Sequence, residues 1–364
     1  MRGAIARAVV LLGSTLLCLV ALELVLRAYP LLLGDTYANG VLSKYSNREG
    51  GIYYYDPSLR MNFMVPNFAT TMYYNRYVWT HETDALGFRN RGSIVPSDVM
   101  LLGDSLIYGH GVEYQDTVGY LLHQMTGLTV ANLARQGDCA FQEAYLLTAY
   151  LPVVRARFVF YHFFENDISD LPLYLSEAAM RDFVATPVTA IRYAAPTPVA
   201  EALHQRAEGR ARRPLFRRLR DSSYVFKMYR FVRQSVLGGT AHAGPSEGED
   251  SLGWRYTRHA IQYMQEVSRR ADAVLVVVPI TPHRPDQYRI LEKIAAEEGL
   301  PFVDTSSLGA GDDSLWLRRD GHFSPAGAQR LAGLESAYLR RAGAIPAAPR
   351  PGAAAVPGAR AAPR

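Results

Sequence analysis

The chain is poor in cysteine and in lysine. Of its 364 residues only Cys18 and Cys139 are cysteine, too few for a disulfide framework, and both are expected to be free thiols. Lysine occurs only at Lys44, Lys227 and Lys293, so the net charge of +5 is carried almost wholly by arginine. An excess that small makes no case for a nucleic-acid partner. No Gly-Lys-Ser/Thr follows the glycines at 103, 109 and 111, and G-x-G-x-x-G is missing from that turn, which speaks against nucleotide binding. His81, His162 and His259 show no ligand spacing with Cys, Asp or Glu, so neither a metal nor an organic cofactor is expected.

What the chain does have begins at its amino terminus. Residues 8–26 are nearly unbroken apolar sequence, preceded by Arg2 and Arg7 and interrupted only by Glu23. That is long enough to cross a bilayer as a helix. A cleaved signal peptide is the alternative, but no small-x-small cleavage site follows and a bulky leucine precedes Cys18, so an uncleaved signal anchor over about 8–27 is favoured. The two early arginines favour a cytoplasmic amino terminus, with the remaining chain outside the cytoplasm, in the periplasm of a two-membrane cell. Glu23, near the far end, can reach the interface.

Four further regions follow. Residues 34–98 form a tyrosine-rich lead-in, whose aromatics either pack over the edge of the main domain or offer a carbohydrate-stacking surface. From 99 to 341, apolar runs of strand length alternate with amphipathic stretches, the pattern of βαβ units and a parallel sheet. Strands are expected at 99–103, 128–133, 157–163, 273–280 and 301–304, and helices at 118–125, 141–150, 255–270, 287–298 and 325–341. The expected fold is therefore a three-layer α/β/α sandwich on a mostly parallel five-stranded sheet. An insertion at 168–254 holds an arginine run (Arg206, Arg210, Arg212, Arg213, Arg217, Arg218, Arg220) that reads as a solvated basic helix or as a contact for anionic lipid headgroups. It ends in a Gly-rich stretch at 238–248. The Ala/Pro/Gly/Arg tail at 342–364 cannot bury a core and is expected to be disordered.

Functional side chains cluster after the expected strands. Residues 99–112 read VMLLGDSLIYGHGV, so Ser105 stands where a strand ends and a helix begins, either as a plain helix N-cap or as a nucleophile. Gly137 follows the second strand, Asn166 the third, and Asp320 and His322 stand just before the last helix. In a parallel sheet such loops converge on one edge, where a nucleophile, amide donors and a carboxylate-oriented base can share a crevice. Asp104, His110, Arg135, Glu165, Asp167 and His283 are further candidates for its lining. The loop Arg135-Gln136-Gly137-Asp138 is charged and either binds an anion or is solvated.

The ordered blocks Gly103-Asp104-Ser105, Gly137, Asn166 and Asp320/His322 resemble those of the SGNH/GDSL hydrolase superfamily over roughly 99–341, the insertion excepted. The leading apolar helix and Thr83-Asp84-Ala85-Leu86-Gly87-Phe88-Arg89 resemble its membrane-anchored bacterial members. The resemblance implies a flavodoxin-like fold with Ser105 as nucleophile and His322 as base. It implies Asp320 as orienter, with Ser105 N–H, Gly137 N–H and the Asn166 amide as the oxyanion hole. The family's usual Asp-x-x-His is Asp-x-His here, so a backbone carbonyl could orient the histidine instead. The implied activity is extracytoplasmic ester hydrolysis, on O-acetylated envelope glycans or lipids. O-acyl transfer to a polysaccharide and a catalytically silent glycan-binding or assembly role are the alternatives.

Overall fold

A computed structural model describes residues 2–48, 50–92, 94–211, 214–237, 248–309 and 311–345. Arg212, Arg213, the Gly-rich stretch at 238–247 and the tail from 346 onward lie outside the described residues. The apolar amino-terminal run forms α1 (Arg2–Ala28), whose most apolar 18-residue stretch has a mean hydropathy of 2.6, nearly all of it exposed. It has the length and composition to cross a membrane. A short helix, α2 (Asp35–Leu42), follows.

The lead-in folds as two antiparallel hairpins, β1 (Tyr53–Asp56) with β2 (Met61–Met64) and β3 (Ala69–Tyr74) with β4 (Tyr77–Glu82). Its tyrosines are mostly internal. Tyr54 and Trp79 are buried, and Tyr45, Tyr74 and Tyr77 pack against the main core.

The central sheet has four parallel strands in the order β6-β5-β7-β8, with β5 at Val99–Leu102, β6 at Val130–Asn132, β7 at Phe158–Phe164 and β8 at Val274–Ile280. All of β5 and nearly all of β7 and β8 are buried, as expected of parallel strands covered on both faces. The expected fifth strand is not formed. Residues 301–304 make one parallel bridge, Val277 to Phe302, because Pro301 has no N–H to give the ladder and the chain turns into a 3-10 turn at Ser306–Leu308.

Helices alternate with these strands: α3 (Ser105–Tyr108), α4 (Val118–Thr126) and α5 (Ala140–Val154). The insertion supplies α6 (Asn166–Ser169), α7 (Leu171–Tyr174), α8 (Glu177–Ala185), α9 (Val199–Ala211), α10 (Leu215–Ser222) and α11 (Tyr224–Leu237). Then come α12 (Leu252–Arg270), α13 (Pro285–Glu297) and α14 (Pro325–Arg341). Adjacent residues of β7 show the layering, since neighbours on a strand point to opposite faces. His162 donates or accepts at Glu335 of α14 (2.5 Å), while the Phe163 ring stacks on Trp254 of α12 at 5.5 Å. One layer thus holds α14 with α4, and the other holds α12 with α5.

Candidate active site

The Gly-Asp-Ser turn sits where β5 ends and α3 begins. The N-cap of α3 is Asp104, not Ser105: Asp104 Oδ1 accepts from Leu106 N–H at 2.9 Å. Capping by its neighbour leaves the Ser105 hydroxyl to face elsewhere. It lies 2.7 Å from His322 Nε2, and it also lies 3.3 Å from Asp104 Oδ2. His322 Nδ1 donates to Asp320 Oδ1 at 2.5 Å. That bond fixes the tautomer, leaving Nε2 as the acceptor for the serine hydroxyl.

The two-residue Asp320–His322 spacing is made possible by the local turn. Trp316 and Phe323 form an antiparallel bridge, Leu317 N–H donates to His322 C=O at 2.7 Å, and Arg319 takes a positive φ of 74° between them. The turn is braced from the lead-in: Tyr77 Oη donates to Arg318 C=O (2.6 Å) and Asn75 Nδ2 to Arg319 C=O (3.3 Å). Ser324 then caps α14, accepting from Gly327 N–H, with Pro325 at the first helical position, a start signal that fixes where the histidine must stand.

His110 adds a second imidazole. Its ring stacks on that of His322 with centroids 3.9 Å apart, and its Nε2 lies 3.3 Å from Asp320 Oδ2. This is a close electrostatic contact of two otherwise unpartnered atoms rather than an aligned hydrogen bond. On its far side Nδ1 lies 3.0 Å from Tyr45 Oη and 2.9 Å from Gln136 Oε1, and the rings of Tyr45, Tyr74 and Trp79 surround it. Burial alone would raise the Asp320 carboxyl, but the His110 and His322 imidazoles more than offset it and hold the group well below the usual carboxylate range. Burial lowers the His322 imidazole, with Asp320 opposing and His110 adding to the drop. The His322 imidazole is therefore neutral at neutral pH. Asp104, buried, is raised to about 6.

Ligand atoms of His110, Asp320 and His322 all lie within 4.8 Å of one another, a donor set that could in principle hold a cation. The same atoms already face one another: the Asp320 oxygens meet the two histidines, and His322 Nε2 meets Ser105.

The neighbouring loops are stitched to this edge. Arg135 N–H donates to Gly103 C=O at 3.3 Å, bringing the loop after β6 beside the nucleophile turn. Gly137 has φ 76°, a left-handed conformation in which a side chain is strained, and its carbonyl accepts from Tyr174 Oη of α7 at 2.8 Å. Asn166 opens α6 directly after β7, its Nδ2 donating to Asp170 Oδ2 at 2.7 Å. A primary amide has a second N–H to offer. Glu165 Oε1 accepts from His283 N–H at 2.6 Å, tying the loop after β7 to that after β8. The His283 ring is exposed, 6.3 Å from that of Trp316.

Two expected lining residues are internal instead. Arg135 neither meets solvent nor offers itself to an anion: it is buried, its Nε 2.7 Å from Asp138 Oδ2, one amino group donating to Asn62 C=O, with Phe63 beneath the guanidinium. The ion pair with Asp138 compensates its desolvation. Asp167 is also fully buried, and burial pushes its carboxyl well up. A neutral acid is cheaper to bury than an ion.

Sequence reasoning missed what Arg89 does. Its buried guanidinium donates to the carbonyls of Tyr108 and Gly109 just after the Gly-Asp-Ser turn, to Thr80 on β4 and to Val112. The preceding Gly87 has φ 88°, and a Cβ there would lie 2.5 Å from Met64 C=O. The Gly-Phe-Arg sequence was the available signal, but nothing in it says which carbonyls an arginine will find.

No protein-family profile and no curated protein sequence matches the chain. Solved structures do. TesA is 14% identical, with 67% of this chain and 98% of that one aligned and a TM-score of 0.38. A family 3 carbohydrate esterase from Clostridium thermocellum is 15% identical over 68% and 96% of the two chains, with a TM-score of 0.38. A GDSL-like lipase from Bacteroides thetaiotaomicron is 11% identical over 67% and 88%, also with a TM-score of 0.38.

Proposed function

We propose that the chain is a serine esterase of the SGNH/GDSL kind, anchored by α1 with its hydrolase domain outside the cytoplasm and acting on acyl or acetyl esters of envelope glycans or lipids. The observation that carries the reading is the unbroken contact from Asp320 Oδ1 through His322 to Ser105 Oγ, at 2.5 and 2.7 Å. In this reading His322 Nε2 takes the hydroxyl proton as Ser105 Oγ attacks the ester carbonyl, and Asp320 stabilises the imidazolium that forms. The Ser105 and Gly137 N–H groups and the free N–H of Asn166 receive the oxyanion. The imidazolium then gives its proton to the departing alcohol, and water, activated by the same base, releases the acid from the serine. Losing one oxyanion donor typically costs about 3–4 kcal/mol in the transition state, so Asn166→Ala belongs beside the triad variants in any series. The short Asp-x-His spacing left room for an idle triad, and the hydrogen-bonded Asp320–His322 pair favours an active one.

A fluorophosphonate probe tests this directly. Covalent labelling of the wild-type chain is expected, abolished in Ser105→Ala and His322→Ala. A folded wild-type protein that resists the probe would sink the proposal.

A further inference from the structure

The insertion is joined to the anchor helix itself. Glu23, five residues before the end of α1, accepts hydrogen bonds from Ser223 Oγ (2.9 Å) and from the N–H groups of Tyr224 (3.0 Å) and Val225 (2.9 Å). It thus satisfies the donors that open α11, where a carboxylate is also favoured by the helix dipole. Arg27, one turn on, donates to Ser222 C=O at 3.0 Å and lies over the Tyr224 ring. Leu22 and Leu26 of α1 and Tyr37 and Val41 of α2 pack against Tyr224, Val225, Met228 and Phe231 of α11. The α10–α11 junction is therefore fixed at the far end of the apolar span. Residues 8–26 rise about 28 Å at 1.5 Å each, close to the roughly 30 Å hydrocarbon core, which puts that junction at the outer membrane boundary.

Next to this junction α10 presents an apolar face that no other described residue covers. Leu215, Phe216 and Leu219 fall within about 100° of arc at 100° per residue, and all three are exposed, Phe216 at 74%. Arg217 and Arg218 lie away from that arc, whereas Arg220 flanks Phe216 and pairs with Asp221 at 3.2 Å. An eight-residue helix with large apolar side chains facing water and arginines behind them is costly in solution and suited to the headgroup–acyl boundary. Tyr229 and Val232, exposed on α11, extend the same kind of surface.

We propose that α10 is an interfacial helix: it lies in the outer leaflet with Leu215, Phe216 and Leu219 among the acyl chains and Arg217 and Arg218 on anionic lipid headgroups. The occupant is a lipid surface because the helix is joined at its carboxyl end, through Ser222–Val225, to Glu23 and Arg27 of α1, and because three of its eight residues are arginine against one aspartate. The proposal rests on the reading of α1 as a membrane anchor.

The two can be tested apart with the full-length chain in phosphatidylcholine vesicles, with and without phosphatidylglycerol. Cys18, exposed on α1, takes an environment-sensitive fluorophore in the wild type, whereas Cys139 is buried; Phe216→Cys in a Cys18→Ser chain places the same probe on α10. A Cys18 probe quenched by deep lipid-borne nitroxides supports the anchor, and one that stays in water overturns it. A Phe216→Cys probe that is blue-shifted and quenched by shallow nitroxides, more strongly with phosphatidylglycerol, supports the interfacial helix when Cys18 reads as embedded. A water-like probe at 216, or one that is buried yet unquenched because a second copy covers it, overturns the proposal. Loss of the phosphatidylglycerol effect in Arg217→Glu/Arg218→Glu is expected; an unchanged effect overturns the role given to the arginines.

Discussion

The Asp320 carboxylate stands between His322 on one oxygen and His110 on the other, and this sharing sets the pH behaviour of the proposed base. Because burial holds the His322 imidazole below the ordinary histidine value of about 6.5, the acid limb of kcat/KM is expected below that value. His110 contributes to the depression, so His110→Phe, which keeps a ring beside His322 but removes the nitrogens, should move the acid limb to higher pH. It should also lower kcat by up to about tenfold, the order of losing one close charge contact to a buried carboxylate. A pH profile of kcat/KM for both proteins checks this, and a loss of activity with an unmoved limb would leave His110 a merely structural role. At this scale Ser105 and His322 were legible because residue type and strand-end position agree. The second histidine was legible only as a neighbour of the turn: nothing in Gly-His-Gly tells that its ring will meet a carboxylate 210 positions later.

The apolar strands read plainly, because parallel strands buried on both faces are continuous hydrophobic runs; β8 differs from the expected span by a single residue. Residues 301–304 look like a strand by composition and fail as one because proline opens the segment and one bridge is all the edge accepts. Helix α5 shows a different cost. Glu143 on its inner side is fully buried with both carboxylate oxygens unpartnered, and burial, with Asp167, Asp138 and Asp104 nearby, pushes its carboxyl well up. In the unfolded chain the same group ionises near 4.3. Its contribution to stability is therefore intact below that pH and is lost as pH rises toward the folded value, because the unfolded state gains by ionising. Glu143→Gln is expected to stabilise the protein at pH 8 by at least about 1 kcal/mol, and by less at pH 5. Denaturant unfolding at the two pH values measures it; an equal effect at both would show that Glu143 is ionised in the fold.

For the whole molecule, alternation of strands and helices announced the three-layer sandwich, but the lead-in did not announce its purpose. Its tyrosines and Trp79 line the back of His110, and Arg89 holds the nucleophile turn to β4. These contacts join residues distant in the chain, for which periodicity has no signal. One of them reaches the helix that follows α1. Asn39 on α2, eleven residues beyond α1, exchanges two hydrogen bonds with Asn75, at 2.6 and 2.7 Å, and Asn75 in turn holds Arg319, the neighbour of Asp320. Two asparagines thus form a lever between α2, which follows the proposed tether, and the Asp320 carboxylate. Bilayer thickness then becomes a variable of the chemistry: a thinner bilayer tilts a long helix more than a thicker one does, and turnover of a soluble ester by the reconstituted chain is expected to differ between short- and long-chain lipids. Asn39→Ala should flatten that dependence, and a rate indifferent to lipid length in the wild type would show that the lever carries no load.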